Sequence, residues 1–276
     1  MKNTYLLDCA EDLVKANPSA SICDYFSSWE ISDYGLLYLN DSAEHPVLSQ
    51  RLPKMPSDET QKHWTWFSGK ESINRSLEFS MGIQRNYQYL TGRSLRDSAV
   101  LDYGAGWGRL TRMILQFVPE INVYACDADP KSVALFNSLG FKTRCVQVPT
   151  CPESLPFADE QFDLIWLWSV LTHLPAKATD AVMKSLHRIL KPGGLLLITI
   201  RPIEFWRDNP LVSHKSEAEL MVEEHKNNGF AHLAESPHWG DTTMSLEFIE
   251  RTWPQWEVIK TEDDKDHQVK VYLKRN

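Results

Sequence analysis

Between Ser98 and Arg201 the chain alternates short, nearly uninterrupted apolar runs with segments whose apolar residues recur every three or four positions. Apolar runs of that kind are strands buried on both faces, and helices between consecutive strands are the crossovers of a parallel sheet. AVLDYG, NVYACD, FKTRCVQV, FDLIWLWSV and GGLLLITIR read as five strands, with GRLTRMILQFV, DPKSVALFNSLG and KATDAVMKSLHRIL as helices. In the last helix Ala181, Leu186, Ile189 and Leu190 carry the apolar spacing, and Lys191, Pro192 and Gly193 supply a stop. Further on, SLEFIERTW reads as a helix, and WEVIKT and QVKVYLKR flank the polar TEDDKDH turn as an antiparallel pair closing a sheet edge. The expected architecture is α/β: a seven-stranded, mostly parallel sheet with helices on both faces and an antiparallel C-terminal hairpin. Residues 1–95 fall outside this pattern and read as a helical, aromatic N-terminal extension or cap. Residues 96–276 form the main domain, with an insertion at about 203–240.

The first strand runs into VLDYGAGWGR, where Gly104, Gly106 and Gly108 occupy alternate positions. Ligands of open parallel sheets bind beyond the carboxyl ends of the strands, and the helix that follows offers unpaired N–H groups there. Glycines let a ligand approach the backbone. A dinucleotide fingerprint needs its third glycine at the sixth position from Gly104, which is Arg109, so the spacing departs from that pattern. Asp127, in CDADP at the end of the second strand, is placed to accept both hydroxyls of a ribose, or alternatively to cap the next helix.

Composition narrows the partners. A net charge of −8 argues against nucleic acid, whose phosphates are met by an excess of Lys and Arg. The N-terminal apolar run is broken by Asp8, Glu11 and Asp12, and GGLLLITI is too short to span a bilayer, so a cytoplasmic protein without a membrane partner is expected. Five cysteines without CxxC spacing fit free thiols in a reducing compartment.

DYGAGWG, CDADP, LPFADEQFDLIWLWSVLTHLP and LKPGGLLLITIR, in that order and spacing, resemble the successive motifs of the class I S-adenosylmethionine-dependent methyltransferases, and most closely the branch that methylates small molecules. The resemblance spans about Ser98 to Arg201 with the C-terminal hairpin. It implies a Rossmann-like fold and S-adenosyl-L-methionine as cofactor. By this resemblance Asp102 orients the amino group of the methionine moiety, Gly104, Ala105 and Gly106 let the backbone approach, and Asp127 holds the ribose. Ala128 or Asp129 borders the adenine. Cys151 stands where the family often has an acidic adenine contact, so that contact passes to backbone or to Glu153. Trp168 and Ser169 face the transferring methyl.

A sulfonium methyl is already activated, and the chain has to position a nucleophile and exclude water. His173, just past the fourth strand, is the candidate general base; the competing reading is an imidazole bonded to a backbone carbonyl. In and beside the insertion, Trp206, His238 and Asp241 are candidate substrate-binding residues. His214, His225, His232 and His238 lack the spacing that puts two metal ligands on one helix face, so no metal is expected. Trp64, Trp66, Tyr87 and Tyr89 fit either an aromatic pocket or a core. The expected activity is methyl transfer to oxygen or nitrogen of a small metabolite or sugar-containing molecule, with oxygen preferred on the strength of His173. The alternatives are a nucleotide-dependent Rossmann oxidoreductase and a non-catalytic cofactor-binding scaffold.

Overall fold

The computed structural model describes residues 2–39, 44–208, 215–263 and 268–275. Seven strands form one sheet in the order β3-β2-β1-β4-β5-β9-β8, and a separate two-stranded sheet pairs β6 with β7. By compactness the chain divides into Met1–Gln147 and Val148–Asn276.

In the first unit, helices α1 (Lys2–Ala16), α2 (Ile22–Phe26), α3 (Ile31–Leu36), α4 (Pro46–Arg51), α5 (Asp58–Thr65) and α6 (Gly69–Thr91) precede the sheet strands. The long α6 forms because Ile73, Ser76, Leu77, Ser80, Ile83 and Tyr87 recur at helical spacing and are all buried; it ends where Gly92 takes a left-handed conformation. The extension is joined to the sheet by specific bonds. Tyr34 of α3 donates its hydroxyl to the Arg112 carbonyl at 2.7 Å, and the Arg112 guanidinium donates back to the carbonyls of Pro53 and Lys54, each at 3.2 Å.

Strand β1 (Val100–Tyr103) lies parallel to β2 (Val123–Asp127), with Asp102 opposite Ala125, and β2 lies parallel to β3 (Cys145–Gln147). Helices α7 (Arg109–Ile114) and α8 (Pro130–Ser138) make the connections. The third strand is shorter than FKTRCVQV predicts. Phe141 stacks on Phe136 of α8, ring centroids 4.2 Å apart, and the Thr143 hydroxyl donates to the carbonyls of Glu120 and Val123, so side-chain packing holds the segment that ladder bonds would have held.

In the second unit β4 (Phe162–Leu167) is wholly buried and runs parallel to β5 (Leu190–Ile200), the two connected by α9 (Ala176–Ile189). Strand β9 (Val269–Arg275) lies antiparallel to β5 and to β8 (Trp256–Asp263), which is the expected hairpin. The insertion carries α10 (Phe205–Asp208) and α11 (Lys215–Asn228). It then forms a hairpin the sequence reading missed, β6 (Phe230–Ser236) against β7 (Trp239–Met244), ahead of α12 (Leu246–Thr252). No described helix is long and apolar enough to cross a membrane.

Candidate functional site

The loop after β1 is built by the backbone before any side chain contributes. Gly104, Gly106 and Gly108 have φ of 78°, 55° and 79°, the left-handed region that a Cβ penalises. Gly104 and Ala105 both donate their N–H to the Cys126 carbonyl, at 2.8 and 3.1 Å, and Gly108 donates to Ala105 at 2.8 Å. These N–H groups are therefore consumed in folding the loop over the end of β2.

The two conspicuous glycines differ in surroundings. A Cβ on Gly106 would meet nothing within 4 Å, whereas one on Gly108 would fall 2.5 Å from Phe141 and 2.8 Å from Phe136. Gly108 is thus a packing requirement under the Phe136–Phe141 pair, and Gly106 borders open space.

Asp127 closes the loop. Its Oδ2 accepts the Gly106 N–H at 2.8 Å and its Oδ1 accepts the Asp129 N–H at 2.9 Å. Burial pushes the carboxyl above its ordinary value, and the two backbone N–H bonds pull the other way. The competing capping role belongs instead to Asp129, which accepts from the N–H groups of Lys131 and Ser132 at the start of α8, with Pro130 at the first position. Asp102 is 2% exposed and its Oδ2 accepts the Thr111 hydroxyl at 2.6 Å. Ala105 is buried with Ala125, Phe136 and Cys145, and Ala128 is half-buried beside Asp127. Asp102, Gly104, Ala105, Gly106, Asp127 and Ala128 therefore share the β1–β2 end.

The second unit carries a separate cluster. The His173 ring donates from Nδ1 to the Gly240 carbonyl at 2.9 Å, and its Nε2 accepts from the Arg201 guanidinium at 3.3 Å. Arg201 also donates to the Thr172 carbonyl at 3.0 Å and pairs with the Asp241 carboxylate. Burial, reinforced by the positive Arg201, pushes His173 down to about 4. Both ring nitrogens are engaged, Nδ1 by a backbone carbonyl and Nε2 by Arg201.

The proposed substrate residues separate. Asp241 joins the His173 cluster, its Oδ1 3.8 Å from Nδ1. Trp206 does not face solvent: it packs with Phe205, Val222 and Ala231 and donates its indole N–H to Thr243 at 2.7 Å. His238 is exposed in the β6–β7 turn. His225 and His232 bond the hydroxyls of Thr243 and Thr242, both at 2.8 Å, and His214 lies outside the described residues. Cys151 is half-buried, its thiol 3.9 Å from the Lys177 carbonyl. Trp168 and Ser169 are half-buried just past β4, and Ser169 has φ of 58°. Of the aromatics in the extension, Tyr87 is buried while Trp66 and Tyr89 are mostly exposed. Arg201, Trp239 and Gln268 escaped the sequence reading. The signal for Arg201 was present, a charged residue directly following a buried strand.

Residues 100–194 match a methyltransferase-domain family. The ubiquinone/menaquinone biosynthesis C-methyltransferase UbiE of Klebsiella pneumoniae is 30% identical over 147 residues, which is 50% of this chain and 55% of that protein. The matched region is the one whose motifs resemble the class I S-adenosylmethionine-dependent methyltransferases. The chain spans about half the length of the curated relatives it matches. Two solved structures share its fold. The PH0226 protein of Pyrococcus horikoshii has a TM-score of 0.51 at 12% identity, covering 72% of this chain and 90% of its own. An S-adenosylmethionine-dependent methyltransferase from Clostridium acetobutylicum has a TM-score of 0.50 at 12% identity, covering 79% and 96%.

The β1–β2 end of this chain fits S-adenosyl-L-methionine, the cofactor that the sequence resemblance implies. An acidic carboxylate with lone pairs left over after two backbone bonds stands beside a glycine whose missing Cβ leaves room, and a second carboxylate is buried one strand away. S-adenosyl-L-methionine carries ribose hydroxyls and an amino group, the two donors such carboxylates accept.

Proposed function

We propose that the chain is an S-adenosylmethionine-dependent methyltransferase acting on a small-molecule acceptor. The observation that carries this reading is the Asp127 carboxylate, fixed through Gly106 and Asp129 at the end of β2 while Asp129 performs the capping that would otherwise account for it. Asp127 holds the ribose hydroxyls and Asp102 the amino group. Gly104, Ala105, Gly106 and Ala128 line the approach, and the family resemblance also assigns cofactor contacts to Cys151, Trp168 and Ser169. When bound, the cofactor would supply an activated sulfonium methyl, with S-adenosylhomocysteine as its leaving group.

The chain's own contribution is positional. Orientation of reacting groups is worth roughly 7 to 11 kcal/mol, so the protein supplies no base where the acceptor is already nucleophilic. His173 was the reason to prefer oxygen; with its nitrogens held by Gly240 and Arg201 it acts as a fixed, neutral wall of the acceptor side together with Asp241. The acceptor atom is then chosen by screening oxygen, nitrogen and carbon nucleophiles, carbon because the curated relatives are named C-methyltransferases. The acidic net charge supports a small acceptor rather than a nucleic acid, and the free cysteines support a cytoplasmic location.

Calorimetric titration with S-adenosylhomocysteine, with NADH in parallel, tests the reading. Saturable binding of S-adenosylhomocysteine alone is expected; binding of NADH alone would replace the methyltransferase with an oxidoreductase. A chain that binds S-adenosylhomocysteine but methylates no acceptor would be a scaffold.

A further inference from the structure

Ser169 is held in the left-handed region at the carboxyl end of β4, a conformation costly for a residue with a Cβ and one that concentrates at working sites. Polar side chains from the surrounding segments enforce it. The Ser169 N–H donates to the Thr199 hydroxyl of β5 at 2.8 Å, and its own hydroxyl lies 3.2 Å from that of Thr172. The third partner comes from far along the chain: Gln268, immediately before β9, donates its amide Nε2 to the Ser169 hydroxyl at 3.1 Å. Gln268 stands there because Val269 pairs with Ile200, the last residue of β5, which brings the start of β9 to the carboxyl end of its neighbour.

Gln268 is 8% exposed, and its carboxamide oxygen is buried with no hydrogen-bond donor. A buried amide normally has both ends paired, because leaving an acceptor dry and empty forfeits its bonds to water. Ser169 does not supply the missing donor, since it already takes the nitrogen end. What the cluster lacks is one O–H or N–H.

We propose that Gln268 is a specificity-determining residue for the acceptor, its carboxamide oxygen accepting a hydroxyl or amino N–H from a small molecule that Ser169 borders at the carboxyl end of β4. This rests on the reading of the chain as a small-molecule methyltransferase and narrows the acceptor to one carrying such a donor. A site built around an unpaired acceptor discriminates strongly against ligands lacking the donor, because those leave it empty.

The test uses the full chain saturated with S-adenosylhomocysteine and three probe pairs: phenol with anisole, aniline with N,N-dimethylaniline, and methyl glucoside with its permethylated form. Dissociation constants come from ligand-observed NMR. The expected result is that at least one donor-bearing probe binds about tenfold more tightly than its capped partner. Gln268→Leu should abolish that preference without changing S-adenosylhomocysteine affinity, and Gln268→Glu, which keeps an acceptor oxygen, should retain it. A preference that survives in Gln268→Leu, or that no pair shows in the wild-type chain, overturns the proposal. If the wild-type chain fails to bind S-adenosylhomocysteine, the methyltransferase reading falls and this proposal with it; if it binds and shows no Gln268-dependent preference, this proposal alone falls. Leu removes the Nε2 bond to Ser169 together with the unpartnered Oε1, two effects of opposite sign, so the unliganded variant should melt close to the wild type. Should Gln268→Leu unfold, Gln268→Met carries the same comparison.

Discussion

His173 and Trp239 stack face to face, with ring centroids 4.2 Å apart and planes inclined by 5°. One face of the imidazole is thereby covered by an indole that is itself 47% exposed, while the ring edge is bonded to Gly240 on one side and Arg201 on the other. A ring enclosed in this way resists protonation. Its charged form would lose water, face the Arg201 cation and give up the lone pair that Arg201 uses, and the nearby Asp241 carboxylate compensates only in part.

The stability of the protein should record this. Lowering a histidine from its usual 6.5 to about 4 on folding leaves the native state unaffected above pH 6.5, where the ring is neutral in both states. As pH falls below 6.5 the unfolded chain gains a proton that the native chain refuses until about pH 4, so stability drops across that window by about 3 kcal/mol. His225 and His232, also lowered by burial, act in the same direction. The comparison is therefore between wild type and His173→Gln, by urea denaturation at pH 7 and pH 4.5. The variant should lose about 2 to 3 kcal/mol less than the wild type between the two; equal losses would mean that the ring protonates freely in the native state.

Asp127→Asn separates binding from folding. An amide accepts at one oxygen where the carboxylate accepts at two, so the ribose contact weakens by about 1.5 to 3 kcal/mol, roughly 10- to 150-fold in S-adenosylhomocysteine affinity. Stability should change little, because losing one backbone N–H bond is offset by removing a charge whose burial raises the carboxyl. In the wild type, affinity should also fall as pH drops through that raised value, since the carboxylate is the accepting form. Calorimetry at neutral and acidic pH reads both effects, and an Asn variant with wild-type affinity would remove Asp127 from the cofactor site.

Much of this was legible in the residues because period and burial agree. β4 reads as a continuous apolar run and is buried at every position, and the helix predicted over 177–190 is α9, Ala176–Ile189. The place of Asp127 at the end of β2 was legible because CDADP closes an apolar run. What failed to show were relations between distant segments. The β6–β7 hairpin has weak alternation, FAHLAES against WGDTTM, and its pairing is visible only once Gly240 packs against Leu233 and Ala234. Trp206 reads as a pocket aromatic until Thr243 takes its indole N–H. Gln268 meets Ser169 across 99 positions of sequence, a distance over which no local pattern speaks.

Gly106 and Gly108 offer a paired test of what the loop is for. Gly106→Ala meets no atoms and costs only its left-handed backbone, about 1 to 2 kcal/mol, yet places a methyl in the open space proposed for the cofactor. Gly108→Ala pays the same backbone cost and also collides with Phe141 and Phe136, so its loss should exceed that of Gly106→Ala by about 1 to 3 kcal/mol. Thermal melts should rank Gly108→Ala as the less stable, while S-adenosylhomocysteine affinity measured on folded protein should fall more in Gly106→Ala. The opposite ranking in affinity would place the ligand elsewhere.

Arg112 tests how the helical extension serves the glycine loop. Its side chain is fully buried, and the hydrogen bonds from its guanidinium nitrogens run to backbone carbonyls: Pro53 and Lys54 of the extension on one side, and Trp107 of the loop on the other, each at 3.2 Å. The rings of Tyr38, Trp107 and Phe141 surround the cation, with centroids 4.9 to 5.4 Å away. Burial pulls the guanidinium down to about 10, so the group remains charged at neutral pH and holds its carbonyls by charge-assisted bonds. A lysine keeps the charge but presents one compact ammonium that does not reach both sides, leaving carbonyls unpaired and the cation poorly solvated. Arg112→Lys should therefore cost about 2 to 4 kcal/mol in urea denaturation at pH 7. It should also weaken S-adenosylhomocysteine binding, because Trp107 sits between Gly106 and Gly108. A loss below about 0.5 kcal/mol, with affinity unchanged, would show that the extension and the loop hold their positions without this tie.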